Sequence, residues 1–530
     1  MLRRDATYYT TGYSGRVASK APFYKNCVYF DKEKGDFNDS LIDEFNGTIS
    51  RLYPNKSQKL ERHPVSLLPK KVLIINASHD NLPTSYETMH VFRHVAKKNG
   101  WSIECAVVNT RNELQKEITK WGPDICLISQ CVDKKVYNTK QEYLMRRKGI
   151  VTIPGALTAP GAVFSDKGKS YRLLSENHTR WDLVARYKKV TVRKKDIGTV
   201  AREILDCLDW FAQEHNIHQV YVKPSEGGGG LGGFRITKYN GGYVIPDLSK
   251  VTGMSDDIQP TFIDFEDLTD AKVRELLWIY SLFESDESMK KMYLQITLKH
   301  LKSATSDQEK LQIMREYLIS SETLRHKKIA ELVLSREIAQ EKLTNAITLF
   351  EKKFKRRYIP LVNEHIDFGL WGLRAHFRFA PQGPVLETIY ARIFQLAFTK
   401  EGVGYVGADN ISNKQTGELE IKRLCPINEY MIDAIGGRVA LFETLCKGVE
   451  SLHELNNRAS AEEKGRIPLR LQLDLAAVTQ KIGEGNADTA RGLCLASRWR
   501  RFIENTSEWF IDCLGYYSWR KKQEAEKKEL

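Results

Sequence analysis

The sequence predicts a protein of mixed α/β and α+β class, in which a doubly wound α/β unit precedes further sheet-containing subdomains. One observation is an alternation of short apolar runs with helical patterns over residues 71–132. Another is a glycine-rich segment between two strand-like runs, VYVKPSEGGGGLGGFRITKY. Finally, residues 262–357 have the composition of helices, and strand patterns return after them.

The doubly wound unit is predicted from three apolar runs, KVLIINAS, SIECAVVN and DICLISQCV, which are typical of buried parallel strands. Helical spacing is found between them, in SYETMHVFRHVAKKNG and NELQKEITKW, and Gly100 stands where a helix C-cap is expected. The alternation of strand and helix indicates a parallel sheet with crossover helices. The prolines and glycines of GIVTIPGALTAPG then indicate a linker.

After the linker, an amphipathic helix is predicted over residues 199–216 and a β-hairpin around the glycine segment. Further strands are expected in RAHFRF, PVLETIYARIF and RLQLDLAAV, with a helix over residues 430–455. We divide the chain into an irregular N-terminal extension (1–69), the α/β unit (70–160), a subdomain with the glycine hairpin (161–261), a helical segment (262–357), a C-terminal subdomain (358–500), and a helix with a charged tail (501–530).

Composition limits the classes of protein and partner. Hydrophobic residues make up 42% of the 530 residues, and no run approaches the ~20 apolar residues that a membrane span needs. The first residues lack the apolar run of a secretory signal, and the nine cysteines form no CxxC pair. We therefore expect a cytoplasmic protein with buried, inert thiols and no membrane partner. The net charge of +14 suits an anionic ligand such as ATP, an acidic substrate or nucleic acid, and equally a lysine-rich surface.

The glycine-rich segment is a candidate phosphate site. Lys223 ends an apolar strand, and four glycines follow at residues 227–230. Glycine N–H groups can approach phosphate closely and form an anion-binding nest, and a neighbouring lysine supplies positive charge. The lysine precedes the glycines, so this is not a P-loop, and a strand follows, so it is not the dinucleotide fingerprint. The alternative is a flexible surface hairpin.

VKPSEGGGGLGG, together with Asp166-Lys167 in the upstream segment FSDKGKSYRLL, resembles the ATP-grasp superfamily. The pattern is most similar to that of D-alanine–D-alanine ligases and related carboxylate–amine ligases. The resemblance implies a pre-ATP-grasp α/β domain, ATP-grasp subdomains and a helical insertion at residues 262–357. It also implies that the ATP contacts come from Lys167, Lys223, Ser225, Gly227, Gly228, Gly229 and Gly230.

Downstream segments follow the order of the same family. LVNEHI resembles the hinge that binds adenine through its backbone, with Glu364 as the acid that holds the ribose. Its alternative is an ordinary strand or helix end. GLWGLRAHFRF and VLETIYARI resemble the family's arginine-bearing strands. Arg392 is the better candidate to contact the transferred phosphate, because a guanidinium fork fits two phosphoryl oxygens, and Arg374 is either a second contact or a structural ion-pair partner.

The resemblance further implies a Mg²⁺ site, with an aspartate on a late strand and an E-x-N pair on the next. Asp474 in RLQLDLAAV and the pair Glu484 and Asn486 in GEGN occupy these positions. Mg²⁺ requires hard oxygen ligands, which these residues supply. GEGN departs from the family because it lies in a polar, glycine-containing stretch. Glu387 and Glu420 are reserve candidates.

The function implied is an ATP- and Mg²⁺-dependent ligase that activates a carboxylate as an acyl phosphate for attack by an amine. The partners would be a small-molecule or peptide carboxylate and an amine, bound beside residues 78–87. A homodimer is one arrangement that the resemblance implies. The alternatives are an ATP-grasp kinase or phosphotransferase, and a non-catalytic ATP-binding or nucleic-acid-binding protein, with nucleic acid not favoured.

Overall fold

The chain combines parallel and antiparallel sheets with helices, so it is a mixed α/β protein. Among the residues described, no helix is both long and apolar enough to cross a lipid bilayer. The structure is a computed structural model that describes residues 39–52, 65–75, 82–128, 137–153, 167–168, 171–172, 185–192, 196–225, 232–245, 261–263, 333–355, 357–365, 371–380, 383–393, 395–399, 402–406, 424–425, 427, 432, 435–457, 467–475, 482–487 and 499–529.

The N-terminal extension contains a helix, α1 (Asp39–Leu52), so the prediction of irregular structure is wrong for these residues. Phe45 is fully buried, and its ring lies 6.3 Å from that of Phe377 and 5.4 Å from that of Phe442. The Asn46 amide exchanges two hydrogen bonds with the backbone of Leu386, at 3.0 and 2.9 Å. The helix therefore belongs to the core of the C-terminal sheet, with which it makes contacts more than 300 residues away in sequence.

The predicted doubly wound unit is a four-stranded parallel sheet with the order β2-β1-β3-β4. Its strands are β1 (Lys71–Ile75), β2 (Glu104–Val108), β3 (Ile125–Ile128) and β4 (Val151–Ile153). Its helices are α2 (Leu82–Lys98), α3 (Arg111–Lys116) and α4 (Thr139–Arg147). The three predicted strands are confirmed. β4 lies where a linker was expected, because three buried residues are too few to give a periodic signal.

A five-stranded antiparallel sheet follows, with the order β5-β10-β6-β7-β8. Its strands are β5 (Tyr187–Lys189), β6 (Gln219–Pro224), β7 (Phe234–Tyr239), β8 (Gly242–Val244) and β10 (Pro360–Glu364). Helices α5 (Ile197–His215) and α6 (Arg336–Phe354) pack together and share one core with Val220, Val222 and Val362. The predicted hairpin is confirmed by the pairing of Val222 with Phe234.

Helix α6 lies in the segment expected to be an insertion, yet its buried face completes the core of this sheet. A pair of backbone hydrogen bonds between Tyr243 and Leu334, at 3.0 and 2.9 Å, joins the end of β8 to the residues before α6. These bonds bring the two ends of the intervening segment side by side. Between Tyr243 and Leu334, the structure describes the residues up to Ile245, strand β9 (Thr261–Ile263), and the residue just before Leu334.

The C-terminal part forms a second five-stranded antiparallel sheet with the order β15-β12-β11-β16-β17. Its strands are β11 (Trp371–Ala380), β12 (Gly383–Ile393), β15 (Leu424–Cys425), β16 (Leu469–Leu475) and β17 (Ile482–Ala487). A small sheet joins β13 (Gln395–Thr399) to β14 (Gly402–Val406) and β9. Helix α7 (Gly437–Asn457) approaches β16 closely, because a Cβ on Gly448 would lie 2.3 Å from Leu473.

The last helix, α8 (Trp499–Glu529), connects the parallel sheet with the C-terminal sheet. Phe510 stacks on Phe92 of α2, with ring centroids 4.1 Å apart. Asp512 accepts a hydrogen bond of 2.5 Å from Arg378 of β11, and both side chains are buried. Beside them, Arg470 of β16 donates to the buried carboxylate of Glu387. We call Arg378, Glu387, Arg470 and Asp512 the buried ion cluster.

Replacing Asp512 by Ala is expected to lower the free energy of unfolding by about 3 kcal/mol, because it leaves the Arg378 guanidinium buried without this carboxylate. Urea unfolding followed by far-UV circular dichroism measures the change. Glu44→Ala is the control, since it removes an exposed ion pair with Arg438 of 2.8 Å and should cost less than about 1 kcal/mol. Equal losses in the two variants would contradict the role of the cluster.

Gly232, the second-last residue of the glycine run GGGGLGG, has a φ of +77°, and a Cβ there would lie 2.7 Å from the Phe350 ring. Gly232→Ala should therefore lower the melting temperature through backbone strain of about 2 kcal/mol and an additional steric clash. Gly241→Ala separates the two causes, because Gly241 has a φ of +79° and open space around it. A thermal melt in which Gly241→Ala loses as much stability as Gly232→Ala would show that the contact with Phe350 contributes nothing.

Candidate functional site

Two of the predicted phosphate contacts come together at the end of β6. The Lys167 backbone N–H donates to the Ser225 carbonyl at 2.8 Å, and the Ser225 N–H donates to the Ile359 carbonyl at 2.8 Å. Lys167 is more than 50 residues from Lys223 in sequence, and the structure brings its backbone to the strand that carries Lys223. Asp166 and Gly227 to Gly230 lie outside the described residues.

The Lys223 ammonium is held by an aromatic residue that the sequence did not single out. Its Nζ donates to the Tyr171 hydroxyl at 3.1 Å and lies 4.9 Å from the centroid of the Tyr171 ring. Tyr171 follows Lys167 by four residues, which is the spacing of neighbours on a helix face. This spacing is the signal from which Tyr171 could have been found.

Lys223 and Ser225 lie on the face of the sheet opposite its helix-covered core. Val220 and Val222 belong to the core shared with α5 and α6, and successive residues of a strand alternate between faces. Lys223 is paired with Leu361, and Ser225 lies two residues further along the same face. The sheet thus separates an apolar face from a face that carries the predicted phosphate contacts.

Buried polar atoms without a partner mark this second face. The Ser225 side chain is 1% exposed, and its hydroxyl has no hydrogen-bond partner among the residues described. Asn363, on the neighbouring strand, is 3% exposed and has neither its amide donor nor its amide oxygen satisfied there. Buried polar groups in folded proteins are nearly always hydrogen-bonded. A polar ligand on this face would satisfy both residues.

Glu364, the predicted ribose contact, lies at the end of β10 and has a structural partner. Its Oε2 accepts a hydrogen bond of 3.2 Å from the Arg186 N–H, and its own N–H donates to the Arg186 carbonyl at 2.8 Å. These bonds fix the hinge segment to the chain that leads into β5. The next residue, His365, has its pKa lowered to about 3 by desolvation and by the nearby positive charge of Arg235.

One predicted arginine and two predicted metal ligands are paired across neighbouring strands of the C-terminal sheet. Arg374 of β11 is paired with Asp474 of β16, and Asp474 is paired with Glu484 of β17. Residues paired in this way are about 5 Å apart and share a face of the sheet. The three residues therefore form one row across three neighbouring strands, although 110 residues separate Arg374 from Glu484 in sequence.

The E-x-N pair fits the same face. Asn486 follows Glu484 by two residues and is paired with Gln472, so the spacing keeps both on one side of the strand. Although GEGN is polar, residues 482–487 form strand β17, because they pair with β16 over its length. Arg392 is paired with Gly372, which places it two residues from Tyr390 and on the face of Arg374.

The reserve metal candidate Glu387 is excluded by its surroundings. Its carboxylate is fully buried and accepts hydrogen bonds from Arg470 at 3.2 and 3.0 Å. It thus belongs to the buried ion cluster. Glu420 lies outside the described residues. Where side chains are described, no group of three or more His, Cys, Asp or Glu residues could hold a metal ion.

Comparison with known proteins gives similarity in structure alone. No family model and no curated protein matches the chain. A D-alanine–D-alanine ligase from Bacillus anthracis is 12% identical with a TM-score of 0.37, covering 83% of this chain and 97% of its own. A D-cycloserine synthetase is 11% identical with a TM-score of 0.39, covering 83% and 99%. D-alanyl-alanine synthetase A from Vibrio cholerae is 9% identical with a TM-score of 0.38, covering 84% and 99%.

The lowered pKa of His365 predicts a pH-dependent stability. The unfolded chain binds a proton at this histidine as the pH falls below about 6.5, whereas the folded chain does so only near pH 3. Stability is therefore lost as the pH falls through this window. Between pH 7.5 and 5.5, wild type should lose on the order of 1 kcal/mol more than His365→Gln in urea unfolding. Parallel losses in both proteins would show that His365 is protonated normally.

Proposed function

We propose that the chain is an ATP-dependent ligase with an ATP-grasp fold, which joins a carboxylate to an amine. The observation that carries the proposal is the register that places Arg374, Asp474 and Glu484 in one row. The sequence pattern predicted these residues from three separate segments. Their pairing across the sheet does not follow from their distances in sequence. The attachment of Lys167 to Ser225 beside Lys223 supports a phosphate site on the other antiparallel sheet.

The reaction proceeds in two steps. A carboxylate oxygen attacks the γ-phosphorus of ATP, the bond to the β-phosphate oxygen breaks, and ADP leaves. An amine then attacks the carbon of the acyl phosphate, the C–O bond to phosphate breaks, and the amine nitrogen loses a proton as the amide forms. Phosphoryl transfer leaves little covalent work to the protein, whose contribution is positioning and neutralisation of charge.

In this proposal each part of the chain has a stated role. Lys167 and Lys223 bind the phosphates, and residues 227–230 cover them and exclude water, which would hydrolyse the acyl phosphate. Arg392 contacts the transferred phosphoryl group, and Arg374, which lies in the row with the acids, is a second contact. Ser225 donates to a phosphate oxygen, which satisfies its buried hydroxyl. Glu364 and its neighbours hold the nucleoside.

The residues in the row fit Mg²⁺. Asp474 and Glu484 would supply carboxylate oxygens and Asn486 an amide oxygen, a set of hard ligands suited to this ion, from positions on one face of the sheet. When bound, Mg²⁺ neutralises charge on the β- and γ-phosphates. Arg374, paired with Asp474, limits the repulsion between the carboxylates of the row.

The acid substrate is assigned to the parallel sheet. In the order β2-β1-β3-β4, β2 lies on one side of β1 and β3 lies on the other. The strand order therefore switches direction between β1 and β3. Ligands of open α/β sheets bind at the carboxyl ends of strands at such a switch point. Residues 78–87, in the chain that follows β1, are therefore proposed to line the site of a small-molecule or peptide carboxylate, with the amine bound nearby. A homodimer remains the proposed assembly.

Binding of ATP with Mg²⁺, measured by isothermal titration calorimetry, tests the proposal. Lys223→Ala and Asp474→Ala should each weaken binding by about tenfold or more, because each removes a charged contact. Lys188→Ala is the matched control for the lysine, since Lys188 lies on the opposite face of the same sheet, over the Trp210 ring. Glu341→Ala, on the exposed side of α6, is the control for the acid.

The same titration, repeated without Mg²⁺, measures how far ATP binding depends on the metal. Removing Mg²⁺ with EDTA should weaken ATP binding to wild type and leave the Asp474→Ala variant nearly unchanged. A wild-type protein that binds no nucleotide at millimolar concentration would overturn the proposal. Binding that Lys223→Ala abolishes and Asp474→Ala spares would retain the phosphate site and remove the metal from the row.

A further inference from the structure

Lys223, Ser225 and Asn363 lie on one face of the sheet of β6 and β10, which we call the candidate nucleotide face. The Asn363 amide is unusual on this face because it is buried with both of its polar atoms unsatisfied within the part of the chain that the structure describes. The side chain is 3% exposed, and both Oδ1 and Nδ2 lack a hydrogen-bond partner among the described residues. Leaving one buried polar atom unsatisfied is destabilising, and this residue has two. An isosteric leucine would avoid that cost, so the amide is expected to serve a ligand that it meets on this face.

The position of Asn363 relates it to the phosphate end of the site. It is paired with Tyr221 of β6, and Ser225 lies four residues further along the same face, which is about 13 Å in an extended strand. Lys223 lies between the two. A single ligand that satisfies both side chains would span this distance, with its anionic part at Ser225 and its other end at Asn363.

The neighbours of Asn363 suit a flat, heteroaromatic group. Tyr187 and Tyr221 flank it on the adjacent strands β5 and β6. Glu364 follows it immediately and is held by the Arg186 backbone, so the strand end is fixed. A base placed against Asn363 would lie in one row with Tyr187 of β5 and Tyr221 of β6, beside a strand end that hydrogen bonds hold in place.

We propose that Asn363 reads the base of the nucleotide and selects adenine over guanine, an inference that rests on the proposed function. A primary amide presents one donor and one acceptor side by side. Adenine offers the complementary pair, the N7 acceptor and the N6 amino donor. Guanine offers two acceptors on the same edge, N7 and O6, so one of them would face the Asn363 oxygen. On this N7 edge, adenine satisfies both buried amide atoms and guanine satisfies only one.

The test compares Mg·ATP, Mg·GTP and Mg·tripolyphosphate binding to the full chain by calorimetry. Wild type should bind ATP more tightly than GTP by about tenfold or more. Asn363→Leu, which is similar in size and uncharged, should bring the ATP:GTP ratio close to one and leave tripolyphosphate affinity unchanged. Asn363→Asp, which replaces the donor by a second acceptor, should weaken ATP binding as well. Asn112→Asp, on the exposed surface of α3, is the control for the added charge.

The outcomes separate this inference from the function on which it rests. A purely structural amide predicts that Asn363→Leu alters the melting temperature and retains the ATP:GTP ratio, which would overturn the inference. Equal affinity of wild type for ATP and GTP would overturn it too, while tripolyphosphate binding would preserve the phosphate site. A 7-deaza-ATP that binds wild type as tightly as ATP would exclude the N7 contact. If wild type binds neither nucleotide nor tripolyphosphate, the proposed function fails together with the inference.

Discussion

The alternation of side chains between the two faces of a β-strand is the constraint on which the candidate site depends. In the sheet of β6 and β10, valines at every second position join the core under α5 and α6, so the intervening residues lie on the other face. In the sheet of β11 and β16, Leu373 and Leu473 are buried on one face. The row of charged residues lies at the alternating positions, on the other face. A register shift of one residue would move the charges into the core and the leucines out of it. The hydrophobic core and the arrangement of the candidate site are thus fixed by the same pairing.

The polar face of the C-terminal sheet is divided into two ends with different environments. At one end, α8 covers Arg378 and Arg470, and two carboxylates neutralise them in a buried, closed set. At the other end lie Arg374, Asp474 and Glu484, where acids exceed arginines in the row. Between the ends, His376 contacts the Tyr390 hydroxyl at 3.2 Å, and both residues are buried. Similar residue types therefore stabilise the protein at one end and are proposed to bind a cation and phosphate at the other.

Local patterns predicted the elements whose signals are local. The first three strands of the parallel sheet, the glycine hairpin, helix α5, and strands β11, β12 and β16 follow from periodicity and glycine content. Helix α1 was missed, although Leu41, Phe45 and Ile49 recur at helical spacing, because polar residues surround a single short stripe. The core position of α6 was missed because composition does not distinguish a helix that covers a sheet from one in an insertion. In the site, residue types could be predicted, but the pairing of Arg374 with Asp474 is a long-range register that no local window contains. Asn363 had a weak signal, a polar residue within an apolar strand.

The hydrogen bonds between Tyr243 and Leu334 have a consequence for how the chain tolerates changes in length. They bring the two ends of the intervening segment to the spacing of neighbouring strands. The core of α5, α6 and β6 then depends on the distance between these ends and not on the number of residues that join them, and the entropy of closing a loop rises only slowly with its length. Relatives of this protein can therefore gain or lose residues between β8 and α6 during evolution while the sheet of β6 and β10 keeps its shape. The same junction is a natural place to graft a new recognition element onto the scaffold.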